Sequence, residues 1–240
     1  MSEANSVGSS ANQKKAAQVQ SGAARAATLG ISDGLVTNTA LILGVAGASS
    51  SVHIVIVAGV ASLVAGAFSM AVGEYISMKA QSELLAGVLR VEEQAIKNDP
   101  ENAQKALTDI MKDQGLSQQH AASASQDLVK DSQKAMAVYA KGRLGIDPNE
   151  LGSPYAAGGS SLITFALGAF VPLIPWLFLT HNRALYVSLI LSGLAAIGVG
   201  GYLGRQSGVP WYRVAARQLL LIAAATAITF FIGRLFHATI

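Results

Sequence analysis

Two carboxylates stand where the sequence is otherwise built for lipid. Asp33 falls inside the apolar run 28–48 and Glu74 inside the run 52–78. A charge at mid-bilayer costs at least ~2.5–3.5 kcal/mol even on lenient insertion scales, so such side chains face protein or water and mark functional positions. Thr37 follows Asp33 by four residues and Met70 precedes Glu74 by four, so each pair shares a helix face. Counted from the flanking charges Arg25 and Lys79, Asp33 and Met70 both lie ~12–14 Å inside the membrane boundary, and Glu74 about 7 Å. Two adjacent antiparallel helices are therefore expected to offer a carboxylate, a thioether and a second carboxylate at similar depths, with Thr37 and Asn38 as further oxygen ligands. Carboxylates suit hard or borderline divalent cations and a thioether adds softness. The set favours Fe²⁺ or Mn²⁺ over Mg²⁺ or Ca²⁺. Carboxylates withdrawn from water also favour their protonated form, and a site that trades protons for a cation is the chemistry of an antiporter.

Plainer roles compete with these. The alternatives for Asp33 are a cap of a broken helix or an arginine partner, for Glu74 a side chain snorkelling to the interface or a partner of Lys79, and for Met70 packing; for the two carboxylates the functional reading is favoured. His53, His120, His181 and His237 are isolated at loops or span ends.

Positioning the acids requires membrane-spanning helices. The chain is 51% hydrophobic and 13% charged, against about 25% charged in soluble domains. Five apolar runs, 28–48, 52–78, 160–180, 184–204 and 214–236, each approach the ~20 residues that cross ~30 Å of hydrocarbon as a helix. They lack the period-two alternation of strands. The expected fold is an all-α integral membrane protein of five transmembrane helices. Ser49–Ser51 and His181–Arg183 are expected to join spans one to two and three to four. Residues 27–80 form the hairpin carrying the ion path, 81–157 a helical cytosolic domain and 158–240 helices three to five. Residues 1–26 are a polar, Ser/Ala/Gln-rich tail expected to be disordered. Within 81–157, Asp99-Pro100 caps a helix, Gly115 stops it and Ser117 starts another. Small residues recur along spans one and two, with Gly59, Gly66 and Gly73 spaced by seven, and such stripes let helices approach closely in lipid. Pro172 and Pro175 are expected to kink span three.

The segment 81–157 holds 11 of the 14 acidic residues, and of 17 Lys/Arg only Arg183 and Arg234 fall on the opposite side of the spans. The positive-inside rule then places the N-terminus and this segment in the cytosol and the C-terminus across the membrane. A pI near 9.2 accordingly reports orientation, not nucleic acid. Cysteine is absent, which excludes disulfides, thiolate metal sites and cysteine nucleophiles. No Ser/His or paired-Asp motif suggests an enzyme, and no soluble cofactor is implied.

The stretches "SDGLVTNTALILGVAGA" (32–48), "AGAFSMAVGEYISM" (65–78) and "LGSPYAAGGSSLITFALGAFVPLIPWLF" (151–178) resemble, in order and spacing, signature segments of the vacuolar iron transporter family. The resemblance covers about residues 25–237. It implies five transmembrane helices, a homodimer whose interface forms the path, and export of Fe²⁺, often Mn²⁺ also, from the cytosol in exchange for protons. The family's membrane aspartate, methionine and glutamate fall on Asp33, Met70 and Glu74. One departure concerns the cytosolic domain, where typical members read "ERxEL", "EELxxIYxxRGL" and "EELG". Here the matching stretches are "EEQAI" (92–96), "KALTDIMKDQGL" (105–116) and "GRLG" (142–145). Glu92 survives, while Lys105, Ala106, Gly142 and Arg143 stand where glutamates are expected, and Val138 and Tyr139 where methionines are. Glu92 and Glu83 remain cytosolic candidates, but the reservoir is expected to be weakened and the segment to act chiefly as a dimerisation bundle.

The expected function is export of Fe²⁺ or Mn²⁺ for metal homeostasis, in a bacterial plasma membrane or an organelle membrane. The alternative is a non-transporting scaffold or metal sensor acting through its cytosolic helices.

Overall fold

A computed structural model describes residues 22–148 and 152–239; the side chains of 237–239 and residues 1–21 and 149–151, including most of the polar tail and part of the turn near Pro148, lie outside the described residues. Every regular element among them is helical. The helices are α1 (Ala23–Ala48), α2 (Val52–Asn98), α3 (Pro100–Asp113), α4 (Gln118–Val129), α5 (Ser132–Tyr139), α6 (Pro154–Phe170), α7 (His181–Ser207) and α8 (Trp211–Thr239). A π-helical turn, Ala140–Leu144, follows α5, and a 3-10 segment, Val171–Leu177, follows α6. Five of them, α1, α2, α6 with its extension, α7 and α8, are long and apolar enough to cross a membrane. Ala23–Ala26, expected to be tail, instead form the first turn of α1.

Two compact units emerge, Gly22–Ile76 with Pro154–Ile240, and a second containing Ser77–Ser153. α2 belongs to both. With 47 residues it is about 70 Å long, more than twice a bilayer's hydrocarbon core.

In the membrane unit α1 is the central helix, packed chiefly on α6 and α8 and then on α7. Lipid tails are as apolar as side chains, so helices in a bilayer associate by close packing rather than by hydrophobic exclusion. The sequence supplies the means. Gly30 and Gly34 lie against the α6 backbone at Ser161 and Phe165, and Gly168 returns the contact at Ile31. On α7 a small residue faces inward every fourth position, Ala184, Ser188, Ser192, Ala196, Gly200 and Gly204, all buried. Polar side chains pin the seams. The Thr39 hydroxyl donates to Ser192 Oγ at 3.0 Å, Ser188 to the Pro172 carbonyl at 2.7 Å, and Thr229 to the Ala40 carbonyl at 2.6 Å.

Pro172 and Pro175 tighten the end of α6 into the 3-10 turn because proline supplies no amide hydrogen to the α-helical ladder. This turn buries Leu173 and Trp176 beside Ile42 and Val55. The connection to α7 is then Phe178–Thr180, not His181–Arg183, since His181 already opens α7.

The second unit follows its punctuation. Asp99 caps α3 through the Asn102 amide with Pro100 in the first turn, and Ser117 caps α4 through His120. Gly115 ends α3 with φ +97°, a left-handed conformation that glycine adopts without strain. The core gathers Ile96, Ala103, Leu107, Ala135, Met136 and Ala140.

Candidate functional site

α1 carries Asp33 through its middle without a break, so this residue caps nothing. Asp33 and Thr37 are both exposed on the single chain, and the Thr37 hydroxyl donates to Asp33 Oδ1 at 3.2 Å. Among the described residues no cation pairs with Asp33. The exposure follows from packing. Gly30, Gly34 and Asn38 take the face of α1 toward α6, while Leu35 and Thr39 take the face toward α7 and α8. Asp33 and Thr37 are left on the remaining side. Asn38 does not join them. It is fully buried, and its Nδ2 donates to the Ala169 carbonyl on α6.

Met70 and Glu74 reach the bundle from α2. Met70 is half-buried against the cluster of Ala67 with Phe165 and Ala169 of α6. Glu74 accepts from Arg25 Nη2 at 3.3 Å, with 12% of its side chain exposed and 60% of Arg25's. Lys79, the alternative partner for Glu74, pairs with Glu83 one turn further on, at 3.1 Å. Beside Glu74 the rings of Tyr75 and Tyr155 pack at 5.3 Å, flanking an apolar cleft of about 240 Å³. Tyrosines favour the water–lipid boundary, where the ring is apolar and the hydroxyl wet.

Two expectations change. α1 and α2 do not lie backbone to backbone despite their short connection. The glycines of α1 admit α6 instead, and α2 packs across α6 through Gly66 and Met70. The depths also differ. Gly34 and Gly66 both meet Phe165, and Ile42 meets Gly59. Asp33 is therefore level with about Ala67, which leaves Met70 about 5 Å and Glu74 about 10 Å nearer the Arg25 end. The three side chains form a staggered series rather than one ring. Among the described residues no three His, Cys, Asp or Glu side chains cluster as a metal site.

In the second unit, Glu83 and Glu92 are nine residues apart on α2, which puts them on opposite faces of the helix. Val138 and Tyr139 pack on the apolar core, and an added Cβ at Gly142 would meet the Ile110 side chain. Lys105 lines a polar cavity of about 540 Å³ with Glu101, Thr108 and Asp109, so a cation is already present between the two acids.

Arg25 is the residue that reading the sequence left unassigned beyond marking depth. The signal was there, because Arg25 and Glu74 lie nearly equal distances on either side of the Ser49–Ser51 turn.

The sequence profile of the VIT family matches residues 24–234. The chain is 28% identical over 207 residues to vacuolar iron transporter 1 of Arabidopsis thaliana, covering 86% of this chain and 83% of the relative. It is 29% identical over 204 residues to vacuolar iron transporter 2 of Oryza sativa subsp. japonica, covering 84% and 82%. Vacuolar iron transporter homolog 5 of the same rice is 32% identical over 219 residues, covering 90% and 81%.

Proposed function

The chain belongs to the VIT family, and from that premise we propose that it carries Fe²⁺, and Mn²⁺ as well, out of the cytosol across a plasma or organelle membrane in exchange for protons. One observation carries the reading. Asp33 sits on a membrane-crossing helix, exposed on its own chain, with Thr37 as its one side-chain hydrogen-bond partner among the described residues. A carboxylate so placed costs several kcal/mol in lipid unless water, a cation or another chain meets it.

A second copy of the chain supplies the cover. On its membrane stretch, α2 turns two exposed ridges outward, Val60, Val64, Phe68, Val72 and Ile76 beside Ala61, Ala65, Ser69, Gly73 and Ser77. A large ridge beside a small one is the surface on which another helix packs closely in a bilayer. In the resulting homodimer Asp33 and Thr37 give the deep oxygen ligands, Glu74 the shallow one, and Met70 lies between them in depth. Either metal or protons satisfy the carboxylates, which couples the two. The residues 77–153 face the cytosol, which the Lys/Arg distribution supports.

The test is flux of Fe²⁺ and Mn²⁺ into proteoliposomes with an internal pH dye, wild type against Asp33→Asn. Metal uptake with proton counter-movement, lost in the variant, is the expected result. No flux from an intact wild-type dimer would refute transport.

A further inference from the structure

Glu74 is already occupied by a tethered cation. Its carboxylate is 12% exposed and bound to Arg25 at 3.3 Å, while the Arg25 side chain is 60% exposed at the start of α1. The two partners differ in how easily they leave. Glu74 is fixed on a long helix and flanked by the Tyr75–Tyr155 pair. Arg25 reaches it on a flexible stem whose charged end returns readily to water. Asp33, about 10 Å deeper, has no such cation among the described residues.

Resting on the metal path proposed above, we propose that Arg25 is a latch. Its guanidinium holds Glu74 in the unloaded protein, and a divalent cation gains Glu74 only by displacing it. The charges fit this exchange. Paired with Arg25, Glu74 offers an incoming ion no net charge; with Arg25 swung out, its carboxylate is free to bind one. A monovalent ion has half the charge with which to compete against the guanidinium, so the latch also biases the entrance toward divalent metal. Arg25 thus sets affinity and selectivity at the mouth without itself binding metal.

The experiment titrates Mn²⁺ into the purified full-length protein in detergent and follows the free-ion electron paramagnetic resonance signal. Wild type, Arg25→Gln, Arg25→Lys, Glu74→Gln and the Arg25→Gln/Glu74→Gln double variant are compared, with proteoliposome flux run on the same samples. Arg25→Gln is expected to lower the Mn²⁺ Kd about two- to fivefold, the upper range of an exposed ion pair, and to leave Kd unchanged once Glu74 is glutamine. Arg25→Lys, which keeps the charge but loses the planar fork, should fall between wild type and Arg25→Gln. If Arg25→Gln does not fold, Arg25→Lys carries the test by the same sign. Unchanged or weaker Mn²⁺ binding, an equal effect with and without Glu74, or no Mn²⁺ binding in any of the proteins overturns the latch. Flux separates the two readings. Wild-type flux with an unresponsive Kd sinks the latch alone, and a responsive Kd without flux sinks transport alone.

Discussion

Replacing Gly34 by alanine tests the packing that leaves Asp33 uncovered. A Cβ at Gly34 would lie 2.9 Å from the Phe165 carbonyl carbon and 3.0 Å from the Ala169 nitrogen, and closer still to the Phe165 oxygen. All three atoms belong to the α6 backbone, so no rotamer change relieves them. Ordinary contact starts near 3.4 Å, and α1 and α6 must therefore part by roughly half an ångström or more, which costs about 1–3 kcal/mol as overpacking. Alanine recovers up to about 1 kcal/mol of helix propensity. Because the blocking atoms are backbone, the upper part of that overpacking range applies, about 2–3 kcal/mol, and the net loss of about 1–2 kcal/mol lowers the melting midpoint by about 2–8 °C for a chain of this size. Gly73→Ala is the matched control, because nothing lies within 4 Å of its added Cβ on the single chain. In detergent-isolated monomer it should be neutral or stabilising by about 0.5–1 kcal/mol. Tryptophan-fluorescence melts of the variants in one detergent measure both. A Gly34→Ala midpoint at or above wild type would refute the backbone contact of α1 with α6, and with it the account of why Asp33 faces outward.

Thr39→Val keeps the side chain's shape but removes its bonds to Ser192 and to the Leu35 carbonyl; buried interhelical hydrogen bonds in membranes average about 0.6 kcal/mol, so a small midpoint loss is expected, and a smaller one in a Ser192→Ala background. Ser117→Ala removes the α4 cap and should cost about 1 kcal/mol, seen as an earlier urea transition in circular dichroism of the full chain. Lys134 beside Asp131 holds that carboxyl below its usual range, so its stabilisation is present above the ordinary carboxylate pKa and lost as pH falls through the lower folded value; Asp131→Asn should remove that part of the acid sensitivity. The chain has no cysteine, so Ser50→Cys and Gln114→Cys should label with impermeant maleimide from opposite sides of the membrane, and labelling from the same side would overturn the orientation.

Much of the fold was legible because each signal is local. A run of about 20 apolar residues has one solution in lipid, since only a helix satisfies its own backbone there. Asp99-Pro100, Gly115 and Ser117 act within a single turn and end or start helices where their chemistry demands. Asp33 and Glu74 stood out for the same reason, as charges against an apolar background. Their partners were not legible, because partnership depends on which helices touch. The glycines of α1 read only as permission for a close neighbour, and the structure gave that place to α6 rather than to α2. That choice turned Asn38 inward to Ala169, set Met70 against Phe165, staggered the side chains in depth and delivered Arg25 rather than Lys79 to Glu74. Helix number and the presence of membrane acids follow from residue chemistry along the chain; which acid is exposed and which is held by a cation follows from packing between segments far apart in it.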